Sequence, residues 1–431
     1  MLQESRLAAA GIGVARETPR ARQIQNLLYA LWFVPIVFAV KLATAIVKLT
    51  RFGRALRVIH RLFGLRDRVL YLEAFFPENA GFHYRTQKWI EILNANGFDA
   101  RVRYVFDKVT YERLINEHRG TEFQSIYLLR RLWHCLIGLG FNCVIVRREL
   151  LLFNDYGDLF LDKFLTAAHP NVVLDFDDDL SAAKREPREI TSFGRLMFES
   201  SAKFAGSLRL YPRFIAGSSY LKERLLVAKS NIVDKNVLIV PTCVDYDKHT
   251  AKVYDQHSEY INLGWIGSAA NHYLLDIVMP VLNRVARQHK IRFVVITSEG
   301  YEAKADFEVV HVPWDLEREI DHLQMIDIGL MPLYDNAEEK GKCGFKLIQY
   351  MGLGIVSIAS AVTINNEIVE DRQDGFLVHR ESDWQDVIEE VLARRAEFPK
   401  IGEAARRKIQ NHFSFEANRQ RYLDFVSDAV N

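Results

Sequence analysis

Residues 340–378 read KGKCGFKLIQYMGLGIVSIASAVTINNEIVEDRQDGFLV, and the fold is decided in this stretch. Gly341 and Gly344 precede a run in which Phe345, Ile348 and Met351 share a face with Leu347, so a glycine-rich turn opens an amphipathic helix. After Gly352-Leu353-Gly354, the run Ile355 to Ala359 is apolar and rich in β-branched residues, as a buried parallel strand requires. A polar turn follows at Asn365-Asn366-Glu367. The rhythm is helix, strand, helix, strand. The first amides of a helix have no partner within it and sit at the positive end of its dipole, so Gly344 to Lys346 suits a phosphate, and Lys346 adds a full charge.

Four pieces of the stretch, taken together, resemble the nucleotide-sugar site of retaining GT-B glycosyltransferases of the family-4 type, the group 1 glycosyl transferases. Lys346-Leu347-Ile348-Gln349-Tyr350-Met351 is similar to the family's Lys-Leu-x-Glu-Tyr-Met. Gly354 to Ser360 resembles its strand ending in Ala-Ser, Asn366-Glu367-Ile368-Val369 its donor-side turn, and Asp374 to Val378 its closing strand. The likeness covers most of the C-terminal half, with weaker matches back to about Val69. It implies an α/β chain of GT-B type, two Rossmann-like domains facing each other across a cleft, to which the composition of the first residues adds an N-terminal apolar and basic helical segment. The expected units are 1–66, a membrane-associating helical segment; 67–246, the acceptor domain; 259–411, the nucleotide-sugar domain; and 412–431, a helix returning to the first domain.

The same resemblance implies roles for particular residues. Gly267 and Ser268, in the turn after the strand Ile261 to Gly267, approach the donor phosphates, as do Gly344 and Phe345; Asn366 and Glu367 form the donor side. Lys346 meets the charge of the departing diphosphate. The family often carries a Glu-x7-Glu pair that binds the ribose and the donor sugar. Here Gln349 stands at the second position, where it can still accept a hydrogen bond from a ribose hydroxyl, and Gly341 stands at the first. Glu338 or Glu339 is then the candidate for the first role, and Glu339 is placed with Lys346 and Asp178 among the catalytic residues. Asp178 belongs to the run Asp175-Phe176-Asp177-Asp178-Asp179, which is similar to the family's Asp-x-Asp-Asp. Gly81, His83 and Arg85, after the first strand, are the acceptor-side candidates, and His311 to Trp314 are placed against the nucleotide base.

At 431 residues the chain exceeds one ordinary core and fits two domains with an addition. A net charge of +1 offers no global attraction to nucleic acid. The four cysteines are scattered without CxxC or Cys/His spacing, which argues against a disulfide framework or structural zinc. No Walker loop, zinc-protease motif or nucleophile elbow occurs. Three aspartates in a row would suit a divalent cation, yet the resemblance implies a metal-free site without cofactor, the nucleoside-diphosphate sugar being a substrate.

Met1 to Gln25 is polar and charged and is expected to be poorly ordered. Leu27 to Val47 is apolar but for Lys41, and is broken by Pro35. The next segment interleaves Lys48, Arg51, Arg54, Arg57, Arg61, Arg66 and Arg68 with Leu56, Val58, Ile59, Leu62 and Phe63, a basic amphipathic helix suited to an anionic leaflet. Helices are also expected over Tyr84 to Asn96, Tyr111 to Leu139, Tyr273 to Gln288 and Glu317 to Met325. The expectation is a glycosyltransferase at the cytoplasmic face of a membrane. Its partners would be a nucleotide-sugar donor, a glycan or lipid-linked acceptor and the membrane surface, with no nucleic acid. A sugar-nucleotide epimerase of the same architecture and a non-catalytic binding protein are the alternatives.

Overall fold

A computed structural model describes residues 19–63, 67–117, 119–153, 158–180 and 201–430; of Met1 to Gln25, expected to be poorly ordered, residues 1–18 lie outside the described part, whereas residues 19–25 belong to a helix. Two six-stranded sheets form, and every neighbouring pair in both is parallel. In the first, β1 (Arg68–Leu72) lies between β2 (Asp99–Arg103) and β3 (Cys143–Arg147), followed by β4 (Val172–Phe176), β5 (Arg213–Ala216) and β6 (Val237–Ile239). Strands β3 and β4 are buried at every residue, as their unbroken apolar runs require when helices cover both faces. Alternate residues feed two cores: Leu70, Leu72, Val144 and Val146 face one side, Val69, Tyr71, Cys143 and Ile145 the other.

The second sheet runs β12 (Phe376–Val378), β11 (Val356–Ser360), β10 (Ile328–Met331), β7 (Ile261–Ile266), β8 (Ile291–Thr297) and β9 (Val309–Pro313). Its connection order reverses between β7 and β10, which pair through Leu263 with Ile328 and Gly264 with Gly329. In such sheets ligands collect at this reversal, outside the carboxyl ends of the strands. The helix Phe345–Leu353 is tied to it: the Tyr350 hydroxyl accepts the Ile266 N–H at 3.0 Å.

The chain passes between the two domains twice. Val244 on the outward passage and Ser414 on the return form a parallel bridge, in which Val244 N–H reaches the Phe413 carbonyl at 3.1 Å and Phe415 N–H the Val244 carbonyl at 3.2 Å. The final helix, Phe415–Val430, packs on the first sheet. Its Tyr422 stacks on Trp89 with ring centroids 3.9 Å apart and shares a 2.6 Å hydrogen bond with the Tyr71 hydroxyl.

Several elements differ from their sequence readings for local reasons. The expected helix Tyr273 to Gln288 is a 3₁₀ segment, Ala269–Ile277, followed by a short α-helix, Met279–Val285, because Pro280 has no N–H and fits only a first turn. The region Tyr111 to Leu139 holds two helices, Lys108–Asn116 and Gly120–Gly138; Asp107 caps the first through the Thr110 amide at 2.8 Å. The expected Glu317 to Met325 helix is regular only over Glu319–Leu323, and the expected Tyr84 to Asn96 helix starts with a π-type turn, His83–Gln87, before Lys88–Ala95.

Near the N-terminus, the helix Pro19–Leu49 is followed by Phe52–Leu62, the break falling where Arg51 takes a left-handed φ of 54°. No single helix among the described residues is long and apolar enough to cross a membrane, although the bent pair Phe33–Leu49 and Phe52–His60, 71° apart, meets the test of length and composition. The first helix lies on the first domain. Val40 is buried in that domain's core, Phe33, Ile36, Val37 and Val47 pack against it, and the Phe33 ring meets Phe153 and Phe160 edge-on.

Arg85, expected on the acceptor side, is bonded within the first domain. Its side chain is buried. Nη2 donates to Asp175 Oδ1 at 2.7 Å, Nε to the same oxygen at 3.0 Å, and Nη1 to the Val240 carbonyl at 2.5 Å, so the guanidinium joins the turn after β1 to β4 and the residue after β6. Removing one partner from a buried ion pair leaves the other charge unpaired. Arg85→Leu is therefore expected to destabilise the first domain by about 3–5 kcal/mol in denaturant unfolding.

Candidate donor-binding site

The site is assembled from the two loops that leave the reversal of the second sheet. One follows β7 and holds Gly267, exposed Ser268 and Asn271; the other follows β10 and runs from Asn336 to the helix Phe345–Leu353. Gly344 is the N-cap of that helix with φ 67°, a left-handed conformation that glycine adopts at little cost, and a Cβ there would lie 2.5 Å from Ile368 Cδ1. The turn therefore presses directly on the short helix Ile364–Ile368, which carries Asn366 and Glu367.

Lys346 crosses the gap between the loops. A Cβ on Gly267 would stand 2.9 Å from its Cε, and its Nζ lies 5.5 Å from the Trp265 ring centroid. Among the described residues no carboxylate forms an ion pair with it. Burial, followed by the neighbouring Lys342 charge, lowers its pKa to about 8. An ammonium with that affinity for its proton lacks a counter-charge, and an arriving anion would supply one.

Lys342 is held on the opposite side. It ion-pairs with Glu339 at 2.6 Å, donates to Asn271 Oδ1 at 3.0 Å and lies 5.9 Å from the Tyr273 ring centroid. Glu339 also accepts from the Tyr273 hydroxyl and is buried, while Glu338 is half-buried. Its carboxylate thus fixes Lys342 and Tyr273. Lys342, Asn271 and Tyr273 had no role in the sequence reading, although the Lys-Cys-Gly-x-Lys pattern places two lysines four residues apart around the glycine turn.

Gln349 is buried one turn along the helix, and its Nε2 has no hydrogen-bond partner. Its surroundings come from both domains. Tyr84, after β1, lies with its ring 4.6 Å from Phe345, and its hydroxyl donates to Glu319; the other Glu319 oxygen accepts from Trp314 Nε1 at 2.7 Å. Trp314 is thereby committed to Glu319, while His311 is exposed. Tyr84 and Glu319 had no site role in the sequence reading.

The two domains also meet at the glycine of the formal first-Glu position. A Cβ on Gly341 would fall 2.5 Å from Asp179 Cβ, and the Asp179 amide donates to the Gly341 carbonyl at 3.0 Å. An aspartate from β4's carboxyl end thus fills the space where a side chain at position 341 would start. Each acid of that run faces an arginine: Asp177 meets Arg147 at 2.5 Å, Asp178 meets Arg148 at 3.4 Å, and Asp179 meets Arg224 at 3.0 Å. Asp178 is the more exposed of the three, and burial reinforced by the Asp177 charge raises its pKa; Asp177, though buried, is held low by Arg147, Arg148 and Arg85.

On the acceptor side, Gly81 donates its N–H to Asn79 Oδ1 at 2.9 Å, and half-buried His83 packs edge-on to Tyr84. Burial, then the charge of Lys248, lowers the His83 pKa. Glu367 is exposed and accepts from the Ser219 hydroxyl of the first domain, and Asn366 is exposed beside it. Next to them Asn365 is fully buried with its Oδ1 unpartnered, and Thr363 has a strained φ of 37°.

This geometry can now be set beside known proteins. Residues 261–394 match the Glycosyl transferases group 1 family. The second half of the chain is thus similar to group 1 glycosyltransferase domains. No curated protein matches the sequence. Among solved structures, sucrose-phosphate synthase from Thermosynechococcus elongatus superposes with a TM-score of 0.62 at 12% identity, over 84% of this chain and 99% of that one. A glycosyltransferase from Rickettsia africae gives 0.60 at 13%, over 85% and 99%, and Anabaena Alr3699/HepE in complex with UDP-glucose gives 0.59 at 12%, over 84% and 99%. The fold is GT-B.

Tyr84 contributes both a ring contact and a hydrogen bond to a carboxylate across the domain boundary. A hydrogen bond to a charged group is worth roughly 1.5–3 kcal/mol. Tyr84→Phe is expected to weaken the coupling between the domains, seen in calorimetry as two thermal transitions that lie further apart than in the wild type.

Proposed function

We propose that the protein transfers a sugar from a nucleoside-diphosphate sugar to an acceptor hydroxyl, retaining the anomeric configuration, without a metal or cofactor. The observation that carries this reading is Lys346, an uncompensated and partly desolvated ammonium at the N-terminus of the helix Phe345–Leu353, against the Gly267 turn. As the bond from the sugar's anomeric carbon to the diphosphate breaks, negative charge grows on the leaving oxygen. The helix N-terminus, Lys346 and Lys342 stabilise it. The group 1 match and a solved neighbour complexed with UDP-glucose support the donor class; retention is carried over from the resemblance of the Lys346-to-Met351 segment.

Gln349, buried beside Tyr84, takes the ribose, and Gly344, Phe345, Asn366 and Glu367 border the donor. Glu339 acts through Lys342 as a positioning residue. Asp178, whose pKa is raised by burial and the Asp177 charge, faces the sugar and the acceptor hydroxyl from the first domain, with Gly81 and His83 beside the acceptor. A scaffold protein that had lost catalysis would have no reason to keep a half-buried lysine without an ion pair, and transfer rather than epimerisation is read from the products. Incubation of purified protein with UDP-sugars and candidate acceptors decides the matter: a glycosylated product supports the reading, and an epimerised nucleotide sugar or no turnover of any donor defeats it.

Lys346→Ala is expected to abolish turnover and weaken nucleoside-diphosphate binding by roughly 1.5–3 kcal/mol in calorimetry with the fold intact. The anion favours the charged form, so binding near pH 8 should draw a proton from buffer, and affinity should fall as pH rises through about 8. Proton uptake that persists in Lys346→Ala would assign it to another group. At Gln349, Glu should be tolerated or bind tighter, whereas Leu should bind nucleotide less well; equal affinities in all three proteins would remove Gln349 from the ribose.

A further inference from the structure

The helix Pro19–Leu49 has two apolar faces, and the domain beneath covers one of them. Inward, Val40 and Thr44 are buried, with Phe33, Ile36, Val37 and Val47 against the core. Outward, Leu31, Val34, Phe38, Leu42, Ile46 and Leu49 are each more than half exposed. At 100° per residue those six fall within an arc of about 120°, opposite the buried set. The outward stripe is roughly 28 Å long at 1.5 Å per residue. The following helix continues it with Val58, Ile59 and Leu62 exposed, and Phe63 just beyond is 76% exposed. An apolar surface of this extent on a water-soluble face is a docking surface.

Its charge names the occupant. Lys48, Arg51, Arg54 and Arg57 are exposed along the same bent pair, and no Asp or Glu occurs between Glu17 and Asp67. Apolar side chains flanked by cations, with acidic groups absent, match an anionic lipid surface: acyl chains accept the stripe and headgroup phosphates accept the guanidinium groups. The inner face bears on whether the pair spans or lies flat. A span would have to draw Val40 and Thr44 out of the core, break the Lys41–Asp158 ion pair, and lift Gly53 from the Ala167 carbonyl and His60 from the Leu139 carbonyl. Both helices are fastened to one domain, and only their outer side is free.

We infer that residues 31–63 form a monotopic wedge that lodges the outer face of this helix pair in an anionic bilayer surface without crossing it. The wedge is attached to the first domain alone, against the helices Gly120–Gly138 and Phe160–Ala168; the former exposes Leu129, Trp133 and Leu136 at spacings of four and three. The membrane thereby holds the domain with the turn at Gly81 and His83, so the acceptor is an amphiphile whose hydroxyl is presented from the bilayer. That last clause rests on the acceptor-side reading above, whereas lodging in the bilayer does not.

Flotation of the full-length protein with vesicles tests the wedge without substrate. Binding is expected to vesicles of phosphatidylcholine with phosphatidylglycerol, at least tenfold weaker to phosphatidylcholine alone, and released by alkaline carbonate. Leu42→Asp/Ile46→Asp should lower partitioning at least tenfold, and Arg51→Gln/Arg54→Gln/Arg57→Gln should remove the preference for anionic lipid. A thermal shift with UDP checks that each variant keeps its fold and donor site. Resistance to carbonate would mean a span. A dimer in solution that Leu42→Asp/Ile46→Asp makes monomeric, with no vesicle binding, would mean the face belongs to a second copy. Either result, or indifference to both vesicle types, overturns the wedge. Loss of UDP binding in the wild-type protein while flotation persists would instead strike the glycosyl-transfer reading.

Discussion

Parallel strand pairing is the constraint on which the rest depends. Each parallel connection must return over a face of the sheet, so both faces of both sheets are covered and every carboxyl-terminal loop emerges on one edge. With two such sheets joined in one chain, the edges that bear loops meet: the turn after β1 reaches the helix after β9, and the acidic end of β4 reaches the loop after β10. The chemistry is gathered at that meeting, where glycines and charged side chains from both halves come within reach of one another. Lys346 illustrates the economy of the arrangement. The helix that carries it is held to the sheet by Tyr350, which leaves its first turn at the edge, where desolvation and a second lysine make it receptive to an anion.

What could be read in the sequence was whatever depends on neighbours along the chain. Apolar runs such as Ile355 to Ala359 announced buried strands, and Gly344 followed by an amphipathic run announced a helix start. Pairings between distant residues left no such trace. Arg85 looked like an exposed basic residue in a loop, and only its meeting with Asp175, ninety positions on, turns it into part of the core. Tyr84 and Glu319 are separated by 235 positions, and neither has a local pattern that marks it. The break before Met279 is a different matter: Pro280 was visible, and the periodicity of the apolar residues around it concealed its effect. Glu339 was found through the empty formal position at Gly341, yet the reason that position is empty, the close approach of Asp179, exists only in three dimensions.

Gln349 and Gly341 are often glutamates in enzymes that this segment resembles, and the structure offers an account of how the site stays charged without them. Carboxylates are present but come from other places: Glu339 two positions earlier, locked to Lys342, and Asp177 to Asp179 from the opposite domain, each facing an arginine. Ion pairs of this kind hold side chains in one orientation while cancelling much of their long-range field. Lys346 is left as the cation with a field still to be answered.

The paired passage of the chain at Val244 and Ser414 has a mechanical consequence. Two bodies joined by one flexible strand can swivel, slide and twist. Here two strands cross side by side and are hydrogen-bonded to each other, so shear and swivel would stretch one crossing against its neighbour, whereas rotation about the line through them strains neither. The soft motion is a rocking that parts and rejoins the loop-bearing edges, and the C-terminal helix, clamped by Trp89 and Tyr71, acts as the lever arm that keeps the axis fixed in the first domain.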